Sequence, residues 1–495
     1  MDEKEHKLSL KREVGLMGAV SLIGGTMIGS GIFMSPQTVL ASIGSPGASL
    51  VMWACCGLLV IPVSFCYAEL GTVIKESGGE YIYILRTSGP VVAFMLVFSS
   101  VIFVRPAGIV GISLSFAQYV VAPFYPECSP PVLVVKFVAA AAIITLAVVN
   151  SMNVRFSMSV QVFFMVVKVL ALAVIIIGGV VTLARGQNES FKDSFENTNL
   201  GINAIGIAFY QGLWSYDGWN NLNYVTEELK RPEVNLPRAL LIAISLVTGL
   251  YLMVNVSYLA VMTPKELLSS SAVAVTWGNK VLGSWGWIMS VAAALSAFGS
   301  LNGTFFSGGR VCFVAAREGH MPEILSMAHV HRLTPSPALI FTTIISLVVL
   351  IPGDFRTIVN YFSFTAWFFY GITLGGLIYL KIKRKDLPRP YSVSVTHKKR
   401  KLQHCIRNCC KYCIFTPPQV PIVLPILVLL VAIFLVLAPI IDNPQIEYLY
   451  VALFILSGAL IYVPFIHFKI CPGLLRKMTV FLQLFLEVAP ADKNL

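Results

Sequence analysis

From Val14 to Ala68 the chain carries no charged residue. A segment of that length holds two helices of about twenty residues, each long enough to cross a hydrocarbon core of ~30 Å. Further uncharged runs lie at Thr87–Val104, Pro106–Pro126, Phe137–Val154, Ala239–Pro264, Val281–Gly309, Leu333–Gly353, Thr357–Leu380, Ile414–Ile441 and Tyr448–Phe468. With the segments around Lys168 and Asp217 they give about twelve spans. Backbone polar groups in lipid must be bonded internally, so the fold class is an all-α polytopic membrane protein. The composition agrees: 56% of residues are hydrophobic and 12% charged.

The amino terminus, MDEKEHKLSLKREVG, is charged and lacks a cleavable leader, so the first span itself starts insertion. With that end inside, 28 of the 36 Lys and Arg residues fall on the cytoplasmic side, 6 outside and 2 within helices. This bias puts both termini in the cytoplasm. It also assigns the net charge of +12 to attraction for the anionic inner leaflet, so membrane lipids are one expected partner. Aromatic-interleaved basic grooves are missing from the sequence, and nucleic-acid binding is rejected. Metal sets, nucleophile triads and nucleotide loops at usable spacing are missing too, so the reading is a non-enzyme without catalytic residues, metal or cofactor.

The stretch Ser21 to Phe33, SLIGGTMIGSGIF, interrupts the first span with Gly24, Gly25, Gly29 and Gly31. Glycine is costly inside a helix, and backbone groups freed at membrane depth survive only where protein or a cavity satisfies them. A polar ligand held between two half-helices explains the break, and close packing through small residues is the competing explanation. Residues 208–228, AFYQGLWSYDGWNNLNYVTEE, repeat the theme: Gly212 and Gly218 bracket a polar and aromatic cluster that contains Trp214 and Asp217. Interruptions at spans one and six are what a five-plus-five inverted repeat predicts, with the ligand between them at the midplane.

Two cations lie inside spans, Arg105 in FVRPAG and Lys168 in FFMVVKVLALAV. Each needs a partner or marks a pathway. Lys168 stands either where a coupling cation would bind or as a tie to the ends of broken helices. Arg105 either lines the route or pairs with Asp217. Ala68 to Arg86, whose Gly pair marks a turn, reads equally as an inner gate or a solvated connector. Span eight, LSAFGSLNGTFFSGGR, is read as ending at Arg310, and Arg317, Glu318 and His320 follow as a solvated or gating network.

Cys128 falls in an outward loop, where an unpaired thiol suits a bond to another chain or stays inert. The sequon at Asn188 faces the right way for glycosylation, whereas those at Asn255 and Asn302 fall inside spans and are discounted. The loop from Lys381 to Pro421 joins a basic run to Cys405, Cys409, Cys410 and Cys413, which suits S-palmitoylation beside the leaflet; unmodified thiols fit as well. His404 among them matches no zinc spacing. Leu475, Met478, Phe481, Leu482 and Phe485 recur at helical spacing, as in a helix lying on the inner surface. The domain reading is a cytoplasmic segment 1–13, a ten-helix core 14–380, the basic Cys-rich loop 381–421, two further helices 422–468 and a cytoplasmic tail 469–495.

At GTMIGSGIF, AELGTVIKESGGEY, AFYQGLWSYDGWNNLNYVTEE and VAAREGHMPEILSM the chain resembles the light chains of heteromeric amino acid transporters, in the amino acid–polyamine–organocation superfamily. Within them it is most similar to the subgroup of the cystine and dibasic amino acid exchanger and its aromatic-preferring relative. The resemblance implies a LeuT-like fold with helices one and six broken, sodium-independent antiport of amino acids, and residence in the plasma membrane, including the apical membrane of epithelia. The substrate would lie on Thr26, Met27, Ile28, Gly29, Ser30 and Gly31, with its carboxylate on Ser30 and Gly31 and its amino group on carbonyls around Met27 and Trp214. Trp214 would be the outer gate, Asp217 the floor of the side-chain pocket, and Asn220 and Trp367 the wall of its distal part. Lys168 would replace sodium, and Cys128 would form the disulfide to a single-span heavy-chain glycoprotein.

Departures from the family shape the substrate expectation. Arg105 resembles an arginine of the anionic cystine/glutamate exchanger, but Ala366 stands where that exchanger has its second arginine. Acidic substrates are therefore disfavoured. An Arg105–Asp217 pair would favour neutral and aromatic side chains first, with dibasic amino acids or cystine second. The long Cys-rich loop and the tail EVAPADKNL have no usable counterpart. A transport-inactive sensor or assembly subunit of the same fold is the rival reading.

Overall fold

The computed structural model describes residues 12–125, 130–152, 154–187, 189–270, 272–384, 420–441, 446–468 and 472–490. Cys128, Asn188 and Cys405 to Cys413 lie outside them, as do His404 and most of the 381–421 loop.

Among the described residues nine helices are long and apolar enough to cross a bilayer, and a tenth span forms if the bent pair Leu16–Met27 and Gly31–Ile43 is one crossing. The pair meets at 42°. Spans two to five are Pro46–Val73, Pro90–Phe124, Val132–Met152 and Phe156–Ala184; seven and eight are Pro232–Val261 and Trp287–Arg317. Ten, eleven and twelve are Thr357–Lys383, Val423–Ile441 and Tyr448–His467. At positions six and nine stand shorter segments, Ile202–Ser215 followed by a turn and the 3-10 stretch Asn221–Glu228, and Ser336–Leu350.

The broken segments sit at the centre. Gly31–Ile43 packs along Ile202–Ser215, Leu16–Met27 lies between spans five, seven and eight, and span eight packs on span three. Spans eleven and twelve attach outside, against ten and three. Span three holds Pro106, which removes a backbone donor and would crowd the preceding turn. The chain accommodates it with a π-helical turn, Ser100–Val104, immediately before Arg105.

The structure differs from the sequence reading in four places. Ala68 to Arg86 is not a connector: span two runs to Val73, and after a turn a helix occupies Glu80–Ser88. Gly78 and Gly79, at φ 123° and 55°, reverse the chain in a region L-residues avoid. Tyr81, Ile82, Tyr83 and Ile84 are then buried, with the helix against span ten. Span eight does not stop at Arg310. It continues to Arg317 because Arg310 bonds Glu228 through two nitrogens and covers the Phe306 ring at 3.6 Å, which satisfies the charge inside the bundle. Lys381 likewise stays helical, held by both carboxylate oxygens of Glu69 at 2.6 and 2.8 Å. Finally, the tail helix Pro472–Leu486 is followed by a strand, Val488–Pro490, antiparallel to Met327–His329. Phe481, Leu484 and Phe485 are exposed on that helix, as on a membrane-surface element.

Candidate functional site

The first span opens at Ile28, Gly29 and Ser30. On its carbonyl side every group has a donor. Lys168 Nζ bonds the Gly25 oxygen, Ser300 Oγ the Thr26 oxygen, Tyr251 Oη the Met27 oxygen at 2.6 Å, and Ser296 Oγ the Ile28 oxygen at 3.1 Å. Spans five, seven and eight thus hold the end of the half-helix. The N–H side is different: among the described residues no acceptor is recorded for Gly29 or Ser30, and Gly31 opens the next helix, where first-turn N–H groups have no intrahelical partner. Ser215 Oγ, buried beside them, also lacks a partner.

The second break sits directly against the first. A Cβ on Gly31 would lie 2.5 Å from Ser215 Cα, so the two backbones touch. Gly218 has φ 97°, and a Cβ there would reach Thr26 Cγ2 at 2.6 Å. Such contact explains why glycine stands at both breaks, by close approach at one and by a left-handed turn at the other.

A cavity of about 260 Å³ lies at this junction, lined by Thr26, Met27, Gly29, Ser30, Gly31 and Ser300 with Ile112, Trp214 and Asp217. Asp217 also lines two neighbours. One, of about 330 Å³, runs past Trp219, Phe362, Ala366 and Trp367. The other, of about 500 Å³, opens toward Glu80, Arg105, Asn220, Tyr224 and Ala366. Trp214 closes the opposite side, its indole edge-on to Phe355 and Phe362 at 5.9 and 5.1 Å.

Seven of the residues expected to touch substrate therefore meet at one cavity, Thr26, Met27, Gly29, Ser30, Gly31, Trp214 and Asp217. Ile28 does not line it; the side chain is wholly buried. Asn220 faces the 500 Å³ cavity, where its amide donates to Glu80 and, at 3.2 Å, to the Tyr370 hydroxyl. Of the two alternatives for Arg105, lining the route or pairing with Asp217, a contact ion pair with Asp217 is absent among the described residues, and Arg105 lines the 500 Å³ cavity. Arg105 instead lies over the Tyr224 ring at 4.1 Å, and its Nε has no partner. The ring's π face attracts the guanidinium. The carbonyls expected to receive the amino group already carry one donor each at Met27 and Trp214, Tyr251 Oη and the Asp217 N–H at 3.1 Å. Each keeps a second lone pair.

Sequence reasoning missed Glu80, Tyr251, Ser296, Ser300 and Tyr370. Only Glu80 carried a local signal, its place beside the Gly78–Gly79 turn.

The C-terminal ends of spans six and eight are joined by buried ion pairs, Arg310–Glu228 and Arg317–Glu227, the latter at 2.6 Å. Arg86 binds Glu76 at 2.7 Å and approaches Glu318 at 3.8 Å. The Tyr81 hydroxyl lies 2.9 Å from His320 Nδ1. Burial pushes the His320 imidazole below its usual range while Glu318 pulls it the other way. On the loop after span seven, the Lys280 ammonium and the Thr263 cap hold the Glu266 carboxyl down, at about 2.

A multi-pass helical bundle with a small polar cavity at two broken helices is the architecture of a membrane carrier of small polar solutes. Residues 14–464 match the amino acid permease family model, and the chain belongs to that family. It is 47% identical over 488 residues to the human b(0,+)-type amino acid transporter 1, covering 98% of this chain and 95% of that protein. The human cystine/glutamate transporter is 44% identical over 389 residues, 79% of this chain and 78% of its own. The human large neutral amino acids transporter small subunit 2 is 44% identical over 391 residues, 78% of this chain and 73% of its own.

Proposed function

We propose that this chain is a sodium-independent amino acid antiporter working by alternating access, with neutral and aromatic amino acids first and dibasic ones or cystine second. The observation that carries the proposal is the cavity where the Gly29 and Ser30 N–H groups stand without acceptors beside Asp217 and Trp214. A helix N-terminus binds a carboxylate through such N–H groups, and the free lone pairs of Met27 and Trp214 suit an ammonium. Lys168, whose Nζ donates to the Gly25 oxygen, places an amino group at the end of the broken helix, which supports independence from sodium. The names of the three relatives support an amino acid as cargo.

In this reading Trp214 is the outer gate, Asp217 the floor of the side-chain pocket, and Arg105, Asn220, Ala366 and Trp367 its walls. Residues 14–380 form the LeuT-like ten-helix core of an overall twelve-span chain, followed by the loop 381–421, helices within 422–468 and the inner-surface tail 469–495. The chain is a light subunit, joined through Cys128 to a single-span heavy-chain glycoprotein in the plasma membrane, with both termini in the cytoplasm.

The test is efflux of preloaded radiolabelled tyrosine from proteoliposomes without sodium, with and without heavy chain. Efflux triggered only by an external amino acid is the expected result. Tyrosine binding without efflux would replace the antiporter with a transport-inactive subunit.

A further inference from the structure

The cavity of about 500 Å³ beyond Asp217 has three ionisable groups on its wall besides tyrosines: Glu80, Arg105 and Asp217. Two are acids and one is a base, so with all three ionised the wall carries one uncompensated negative charge. Among the described residues Arg105 makes no contact ion pair with either acid; its guanidinium lies over the Tyr224 ring, and its single charge is shared between the two. Glu80 is buried, and its position is fixed: one carboxylate oxygen accepts from the Asn220 amide and the other from the Tyr224 hydroxyl. Asn220 and Tyr224 belong to the second half of span six, one turn beyond Asp217. Asp217 lines both the small cavity and this one, and Glu80 lines this one alone.

We propose that Glu80 is a second specificity-determining residue, which admits cationic side chains by balancing, together with Asp217, one more positive charge than Arg105 supplies. The proposal rests on the antiporter reading above and names the charge class of its second group of substrates. A neutral aromatic side chain gains nothing from the extra carboxylate and is held by the rings of the wall instead. A like-charged side chain meets two acids in a water-poor space and is excluded, because repulsion there is weakly screened.

Hydrogen bonding alone gives Glu80 a competing role as a latch between the 80–88 helix and span six. Glu80→Gln separates the two. Glutamine keeps the length, its oxygen still accepts from Asn220, and its amide donates to the Tyr224 hydroxyl, so both contacts persist while the charge is lost.

The experiment compares arginine-triggered with tyrosine-triggered efflux of labelled tyrosine for wild type, Glu80→Gln and Glu80→Asp, using the full chain in proteoliposomes. Glu80→Gln is expected to raise the KM for external arginine about tenfold, equivalent to about 1.4 kcal/mol, while leaving the tyrosine KM within about twofold. Glu80→Asp is expected to recover most of the arginine affinity. Equal losses for both substrates would make Glu80 a latch only and overturn the proposal, as would an unchanged arginine KM, or a wild type that exchanges tyrosine and refuses arginine. Should the wild type exchange nothing, the antiporter reading fails separately. The ratio of arginine to tyrosine affinity, read from ligand-induced thermal shifts of wild type and Glu80→Gln, then decides the role of Glu80 by the same criteria.

Discussion

Gly31→Ala tests whether contact between the two broken helices makes the site. The added Cβ would stand 2.5 Å from Ser215 Cα, whereas ordinary contact begins at 3.4 Å. The backbones must therefore part by about 0.9 Å, because a helix backbone cannot rotate away as a flexible side chain does. Overpacking of this kind costs about 1–3 kcal/mol of stability. The functional cost is larger, since a displacement of about 1 Å in a positioned site loses about 100-fold in rate. The control is Gly249→Ala in span seven, where a Cβ meets nothing within 4 Å. In a helix interior that change is worth up to about 1 kcal/mol in favour of alanine. The two variants thus have opposite predicted signs from the same chemical change. Tyrosine exchange in proteoliposomes, normalised to protein inserted, and thermal unfolding in detergent give the two readouts. Exchange by Gly31→Ala within about threefold of wild type would refute the idea that the touching backbones position the substrate.

Lys168→Met leaves the Gly25 carbonyl without its donor, and is expected to lower stability by about 1.5–3 kcal/mol in denaturation and to abolish exchange. Arg310→Met strands the buried Glu228 carboxylate and is expected to cost about 3–5 kcal/mol; adding Glu228→Gln should recover much of it, which a double-mutant cycle in thermal unfolding measures. The folded pKa of His320 lies below 6.5, so the unfolded state takes up protons first as pH falls. Stability from this group is complete above pH 6.5 and is lost as pH drops through the folded value, with Glu318, itself 3.8 Å from Arg86, opposing and the Tyr81 hydroxyl facing the ring. Between pH 7.5 and 5.5 the fall in unfolding temperature should be smaller for His320→Phe, which keeps the contacts to Tyr81, Phe94 and Tyr462.

What the sequence made legible was local. Gly24 to Gly31 inside an uncharged run pointed to a broken span or to close helix packing, and the helix does break there, between Met27 and Gly31. Lys168 required an acceptor, and the Gly25 carbonyl is one. What stayed hidden depends on partners distant in sequence. Glu80 after a glycine pair reads as a surface charge, and only Asn220 and Tyr224 from span six reveal it as part of a cavity wall. Three-residue strands such as Val488–Pro490 are too short to show alternation, so their pairing with Met327–His329 had no periodic signal. Opposite charges in one membrane interior left an Arg105–Asp217 pair open beside a lining role for Arg105, and nothing in the sequence pointed to Tyr224, whose ring the guanidinium covers.

The two sides of the first break are treated unequally, and that inequality bears on why an empty carrier would stay still. Lys168, Ser300, Tyr251 and Ser296 come from surrounding spans and satisfy the carbonyls whether or not a ligand is present. The N–H groups of Gly29 and Ser30 have no such partners. In an open state water supplies them, but closing both gates with neither ligand nor water at the break would leave them without acceptors. Each buried N–H left unsatisfied costs about 1–3 kcal/mol, so two of them disfavour the closed, empty intermediate by about 2–6 kcal/mol. That corresponds to roughly 30-fold or more in its population. A bound carboxylate removes the penalty, because its oxygens accept from both groups. Obligatory exchange then follows from hydrogen-bond accounting at two residues, and efflux that ran equally fast with no amino acid outside would mean that water or a side chain closes over the break in the substrate's place.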